Sequence, residues 1–329
     1  MKINIKDVAK RAGVSISTVS RVINDSKAVR PKTKTKVLEA IDELGYKPNA
    51  IARSLKVKNT MTIGIMVPDI SNQFYPEVVR GIEDVASMYE YNIFLCNTDL
   101  DEEKEIQYFG VLEEKQVDGI IFMGGVISDE LGKRFKDSGI PIVLIATDYM
   151  DYPSVTIDNM QAGKDVVKYL MNKNHKDIAM ITGKAYDPIT SGARKKGYMD
   201  ALTEGGLKYR EDLIVEGGYR FKSGYEGAKK LLKLKNPPTA IFVSGDEMAI
   251  GAMRAALENN IAIPEELAIV GFDNIDMAGK VFPSLSTVGQ PMYEMGAIGM
   301  RVLTKILHKE ILENKKIVLN YSFIERESS

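Results

Sequence analysis

The stretch Asp7-Val-Ala-Lys-Arg-Ala-Gly-Val-Ser-Ile-Ser-Thr-Val-Ser-Arg-Val-Ile-Asn24 decides how the chain is read. Val8, Ala9 and Ala12 recur at helical spacing, Gly13 can end that helix, Ser15 can cap the next, and Val19, Val22 and Ile23 form a second apolar stripe. Two short helices around a tight turn would leave Ile16, Ser17, Ser20 and Arg21 outside. Such a pair has the pattern of a helix-turn-helix, whose second helix enters the major groove of DNA. The local pattern also fits two packed surface helices, and charge weighs between the two. Residues 1–60 hold 14 Lys and Arg against 5 Asp and Glu, while the chain totals are 44 and 45, leaving 30 against 40 elsewhere. A near-neutral protein with a head of net charge +9 is suited to a polyphosphate, because neutralised phosphates release counterions.

Working outward, Asn4 can cap the first helix with Asp7 as the acidic partner of a capping box. A third helix is expected from Pro31 through Val37, Leu38, Ile41 and Leu44 to Gly45. Its Lys32, Lys34 and Lys36 fit a solvated face and phosphate contacts equally well. Asn49 then precedes Ala50-Ile-Ala-Arg-Ser-Leu-Lys-Val57, about two helical turns, which is marginal for an isolated helix in water. This segment reads as a conditional hinge helix or as an ordinary linker. From Thr62 onward, apolar runs alternate with amphipathic helices: 62–68, 92–97, 119–123, 141–146 and 154–157, then 178–182, 213–216, 240–244 and 267–271. Unbroken apolar strands separated by helices indicate parallel, doubly wound sheets covered on both faces, here in two similar sets.

With 329 residues and 44% hydrophobic content, the chain can hold a small domain plus one or two α/β lobes. No stretch approaches the roughly 20 apolar residues of a membrane span, and the opening Met-Lys-Ile-Asn-Ile-Lys-Asp is charged where a signal peptide is apolar. The expected compartment is the cytoplasm, with no membrane partner. Cys96, the single cysteine, sits in an apolar run and reads as a strand residue; one Cys and two His suggest no metal site, and no cofactor is expected. The absence of Gly-x-Ser-x-Gly, Gly-x-x-x-x-Gly-Lys and Gly-x-Gly-x-x-Gly argues against an enzyme. A periplasmic sugar-binding receptor would share the lobes, but it would need an export signal and no basic head.

The motifs Asp7-Val-Ala, Ala12-Gly-Val-Ser, Thr18-Val-Ser-Arg-Val and Asn24, followed by Lys36-Val, Ala40 and Leu44-Gly-Tyr-Lys-Pro-Asn-Ala-Ile-Ala-Arg-Ser-Leu55, resemble the amino-terminal signature of the lactose-repressor family of transcription regulators. The similarity continues through Gly81-Ile-Glu-Asp, Val117-Asp-Gly-Ile-Ile-Phe-Met-Gly-Gly125 and Gly271-Phe-Asp-Asn274, essentially the whole chain. Lys115-Gln-Val-Asp-Gly119 and Met300-Arg-Val-Leu-Thr-Lys305 resemble the carbon-catabolite branch of that family. The resemblance implies a small all-α helix-turn-helix domain at 1–48, a hinge helix and linker at 49–60, and a two-lobed, periplasmic-binding-protein-like sensor and dimerisation domain at 61–329. Its N-lobe would comprise about 61–160 plus 290–320, and its C-lobe about 161–289. The implied protein is a homodimeric regulator or repressor on a pseudo-palindromic double-stranded operator. Ile16, Ser17 and Arg21 would read bases, Ser15, Thr18 and Asn24 would touch phosphates, and Ala52 and Leu55 of the hinge would enter the minor groove.

For the input signal the resemblance offers two routes. Arg194, before Gly197-Tyr198, and Asp273, after Gly271-Phe272, match the polar anchors of members that bind a small sugar or nucleobase between the lobes. Ala146 and Gly245 stand where sugar-binding members place further hydrogen-bonding side chains, so strong sugar binding is not expected, though a sugar phosphate is a conceivable ligand. In the carbon-catabolite branch, a seryl-phosphorylated HPr acts as corepressor, docking on a helix matched here by Tyr293, Glu294, Arg301 and Lys305, with Glu294 in place of an Asp. Arg301 and Lys305 are four apart and share a helix face, which suits a phosphoserine clamp; taken alone, the same residues also fit a solvated basic edge.

Overall fold

The structure, a computed structural model, describes residues 3–23, 29–46, 60–183 and 187–329. It divides into two compact units, 1–60 and 61–329. In the first, α1 (Ile5–Ala12), α2 (Ile16–Ile23) and α3 (Pro31–Leu44) enclose a core of Val8, Ala9, Val19, Val22, Val37 and Ala40. Each helix boundary has a local cause. Asn4 Oδ1 accepts from the Lys6 amide at 2.9 Å while Asp7 accepts from the Asn4 amide at 2.8 Å, and Gly13 ends α1 in the left-handed region with φ 66°. Ser15 Oγ accepts from the Thr18 amide at 3.2 Å, which starts α2. Asn24 and the whole hinge segment, including Ala52 and Leu55, lie outside the described residues.

The second unit contains two lobes. In chain order, the first is formed by β1 (Thr62–Val67), α4 (Phe74–Met88), β2 (Asn92–Asn97), α5 (Glu102–Glu114), β3 (Gly119–Met123), α6 (Asp129–Ser138), β4 (Ile142–Ile145) and β5 (Ser154–Ile157). The second follows with α7 (Asn159–Asn172), β6 (Ile178–Thr182), α8 (Ser191–Glu204), β7 (Ile214–Glu216), α9 (Phe221–Leu232), β8 (Ala240–Val243), α10 (Asp246–Glu258), β9 (Ala268–Asp273) and β10 (Ser286–Gly289). The chain then returns to the first lobe as α11 (Met292–Leu307) and β11 (Lys316–Leu319). It crosses a third time to place β12 (Ser322–Ile324) on the second sheet.

The sheets have the orders β11-β5-β4-β3-β1-β2 and β12-β10-β9-β8-β6-β7. Every pairing is parallel except the edge pair β10–β12, which is antiparallel. Parallel strands buried on both faces need continuous apolar runs, and β3, β4, β6, β8 and β9 are buried at every position. Both sheets reverse their winding, between β1 and β3 and between β6 and β8. A crevice outside the carboxyl ends of the strands forms at such points.

Helices pair on the sheet faces through reciprocal glycine contacts. A Cβ on Gly81 of α4 would lie 2.1 Å from the Tyr293 carbonyl oxygen of α11, and one on Gly296 of α11 would lie 2.0 Å from that of Val78 on α4. Gly163 and Gly197 join α7 to α8 in the same way, and Gly224 and Gly251 join α9 to α10.

Two buried side chains of the first lobe show how its interior is tuned. Burial pushes the Cys96 thiol up to about 11, so it is protonated and packs as an apolar residue of β2. Burial, with Glu102 and Asp101 adding, raises the Glu105 carboxyl to about 7. A carboxyl whose folded pKa exceeds its unfolded value binds more protons in the native state, so stability falls as pH rises between about 4.5 and about 7. Glu105→Gln should therefore stabilise the protein by roughly 2 kcal/mol at pH 8, with the gain shrinking toward pH 5. Urea denaturation at the two pH values checks this, and a pH-independent difference would contradict it.

Candidate functional site

Three surfaces carry the residues singled out by sequence. On α2, Ile16, Ser17 and Arg21 are all exposed, with Ile16 at 45% despite being apolar. Ser17 and Arg21 are four residues apart and occupy one face, while Val19 and Val22 on the opposite side hold the helix to the core. Ser15, the α2 cap, also shares its hydroxyl with Ser17 at 2.8 Å and Thr18 at 2.9 Å, so Ser15 and Thr18 cluster at the helix start. A helix amino terminus rich in hydroxyls, on a basic unit, is chemically suited to phosphate.

The second surface is a cavity of about 70 Å³ between the lobes, lined by residues that follow the carboxyl ends of strands in both sheets. Asn72, Tyr75, Gly124 and Ala146 come from the first lobe, and Asp187, Thr190, Arg194, Tyr219 and Asp273 from the second. Arg194 is 4% exposed; its Nε donates to Asn159 Oδ1 at 2.9 Å, its Nη1 donates to the Ser244 carbonyl at 2.7 Å, and its guanidinium lies 3.6 Å from the Phe272 ring centroid. Asp273, with φ 117°, accepts from Gln290 Nε2 at 2.7 Å. Burial raises its carboxyl to about 6 against the lowering influence of Arg194 and Gln290. Behind it, Asp246 accepts from Thr287 Oγ1 at 2.6 Å and from the Ile275 amide at 2.9 Å; burial and the Asp273 charge raise its pKa. The rim is bridged by an ion pair of Asp69 and Arg220 at 2.7 Å and by the Met277 amide donating to Gln73 Oε1 at 3.4 Å. The structure thus brings Arg194 and Asp273 to one cavity, and it puts Tyr219 against the open Cα of Gly245.

The third surface is α11. Glu294, Arg301 and Lys305 are exposed on one stripe, and neither Arg301 nor Lys305 has an ion pair among the described residues. Tyr293 sits at the border with α4: its hydroxyl donates to Asp84 Oδ2 at 2.8 Å, and Arg80 lies 5.4 Å from its ring centroid. At the carboxyl ends of the same helices, Tyr89 packs edge-on to His308, and neighbouring Met88 is 74% exposed. Two uncommitted cations beside exposed apolar side chains make a surface suited to an anionic protein partner.

Comparison with known proteins covers both units of the chain. Residues 4–49 match the bacterial regulatory proteins of the lacI family, and residues 60–322 match the periplasmic binding proteins and sugar binding domain of the LacI family. The chain belongs to the lacI family of bacterial regulatory proteins. Like its relatives, it is a DNA-binding transcription regulator. It is 46% identical to catabolite control protein A of Priestia megaterium over the full length of both. The structure of transcription regulator CcpA of Lactococcus lactis matches with a TM-score of 0.77 at 35% identity, covering 82% of this chain and 98% of that one. The lac repressor dimer bound to operator and the anti-inducer ONPF matches with a TM-score of 0.88 at 25% identity, covering 100% and 99%.

In this regulator the sequence reasoning missed Arg80 and Asp84, which bracket Tyr293, and Tyr75 and Tyr219, which wall the cavity. Gly81 in a motif already singled out was the one available signal for the first pair, since it marks where α4 meets α11. Among the described residues no group of side chains could hold a metal ion, and no helix is long and apolar enough to cross a membrane.

Proposed function

We propose that the regulator governs carbon catabolite control as a cytoplasmic homodimer on a pseudo-palindromic operator, with operator affinity raised when seryl-phosphorylated HPr docks on α11. The observation that carries this is the Arg301 and Lys305 pair, exposed, uncommitted and four residues apart beside Tyr293, in a chain 46% identical to catabolite control protein A. A phosphoserine offers three acceptor oxygens and about −2 charge, which such a pair can hold through charge-assisted bonds. The experiment is a titration of operator binding with seryl-phosphorylated HPr and, separately, with sugars. A response to sugars alone would reverse the assignment of the signal.

Dimerisation is supported by exposed apolar side chains on both lobes, among them Ile70, Phe221 and Phe282, the last 86% exposed. On DNA, Ile16, Ser17 and Arg21 are the base-reading set, Ser15, Thr18 and Asn24 contact phosphates, and Ala52 and Leu55 act in the minor groove. Arg21→Ala should cost about 1 to 3 kcal/mol of discrimination at one base pair and leave nonspecific, salt-dependent binding nearly intact. Binding-site selection with the variant checks it; unchanged selectivity would remove Arg21 from the reading set.

A second reading, a small sugar or nucleobase as effector, is favoured by the inter-lobe cavity, where Arg194 and Asp273 meet.

A further inference from the structure

The two lobes have cores of their own and are joined by the chain crossings, a build that lets them close and part as bodies about those segments. At the mouth of the cavity a cluster of charges spans the boundary. On the first lobe, the loop after β1 is fixed so that one oxygen points outward. Asp69 Oδ1 accepts from the Ser71 amide at 3.0 Å and the Ser71 hydroxyl at 2.6 Å, and the Ile70 amide donates to Asn97 Oδ1 at 2.7 Å. Asp69 Oδ2 reaches across the boundary, and Arg220 Nη2 of the second lobe lies 2.7 Å from it. Bonds from Lys104 and Asn97 lower the Asp99 carboxyl and Arg220 adds to them, so a second carboxylate of the first lobe faces the same cation.

On the second lobe, Glu247 Oε1 accepts from the Phe221 amide at 3.4 Å, beside Arg220. Burial raises the Glu247 carboxyl, with the Asp69 charge adding and the Phe221 amide and Arg220 opposing. Asp69 and Glu247 thus repel each other across the boundary, and Arg220 is the cation between them. Arg220 also follows Tyr219, whose left-handed backbone, φ 60°, turns its ring into the cavity wall while the next side chain extends over the mouth. Wall and bridge are consecutive residues.

We propose that Arg220 is an electrostatic clasp that holds the two lobes together at the cavity mouth, and that without it the carboxylates of Asp69 and Glu247 push the lobes apart. A lone exposed ion pair contributes little, but Arg220 both attracts Asp69 and cancels a repulsion, so its removal reverses the sign of the interaction across the boundary. Its side chain is 59% exposed, so added salt weakens the clasp. Closure is then set by charge at the mouth as well as by any occupant of the cavity. The clasp is independent of which signal the regulator reads and of which protein docks on α11.

A thiol in the cavity wall reads closure in the full chain. Ala146 is 8% exposed there, whereas the native Cys96 is 2% exposed with its thiol raised to about 11, so N-ethylmaleimide labels the thiol introduced by Ala146→Cys and leaves Cys96 alone. In that background Arg220→Gln should speed labelling about fivefold at low salt, and Arg220→Lys, which keeps the charge, should stay within about twofold. Raising salt from about 0.05 M to about 0.5 M should speed labelling where Arg220 is intact and slow it in Arg220→Gln, because it screens an attraction in the first and a repulsion in the second. Glu247→Gln keeps an acceptor for the Phe221 amide and removes the charge, so adding it to Arg220→Gln should return labelling to within about twofold of the Arg220 protein. Unchanged labelling in Arg220→Gln, equal acceleration in Arg220→Lys, or a salt effect of one sign in both proteins would each overturn the clasp. Failure of Glu247→Gln to restore slow labelling would overturn the repulsion.

Discussion

Substituting Gly81 by alanine should destabilise the first lobe by about 3 kcal/mol, at the upper end of overpacking costs. The new methyl would lie 2.1 Å from the Tyr293 carbonyl oxygen, which belongs to the backbone of α11 and cannot rotate away as a side-chain tip would. The two helices must separate, and their shared core with Val78, Ile82, Met295, Met300 and Leu303 loosens with them. Gly296→Ala should cost a similar amount for the mirror-image reason, with its methyl 2.0 Å from the Val78 carbonyl oxygen. The double variant should cost clearly less than the sum, because the separation forced by one methyl makes room for the other. Urea denaturation of the four proteins measures this, and additive costs would mean that the contacts are not coupled through the helix spacing.

The second large effect is expected at the docking surface. Arg301→Ala combined with Lys305→Ala removes two charge-assisted contacts to a phosphoserine, each worth about 1.5 to 3 kcal/mol. Affinity for seryl-phosphorylated HPr should fall at least about 100-fold, while binding to operator without the phosphoprotein stays within about twofold. Both side chains are exposed on α11 and lack ion pairs among the described residues, so stability should hardly change. A parallel loss of unassisted operator binding would show that the pair serves the DNA complex or the dimer rather than a phosphoprotein.

Local chemistry makes much of this protein legible in its sequence. The capping box of Asn4 and Asp7, the stop at Gly13 and the stripe of Val8, Val19 and Val22 are contacts between near neighbours, and such contacts leave a periodic trace in the chain. The apolar runs of β1, β3, β6 and β9 announce buried parallel sheets for the same reason. What escaped was set by distant partners. Nothing near residue 293 signals that Asp84 will hold Tyr293 from 209 positions away. The antiparallel β12 is a short run of half-exposed residues with no pattern of its own, and only its pairing with β10 explains it. In the cavity, Arg194 and Asp273 were recognisable by resemblance. That Arg194 bonds Asn159 and the Ser244 carbonyl, and that Asp273 bonds Gln290, depends on side chains gathered from distant strand ends.

The glycine contacts between α4 and α11 bear on how signals could combine. With backbones this close, the two helices cannot slide by a fraction of a turn, so they form one stiff body. The outer stripe of that body is Arg301 and Lys305; its other extremity, the first turn of α4, carries Tyr75 into the cavity. An event that tilts the body at one end displaces it at the other. If two ligands occupy these ends, linkage makes their coupling free energy reciprocal: whatever a cavity ligand does to the affinity of the docked protein, the docked protein does in equal measure to the cavity ligand.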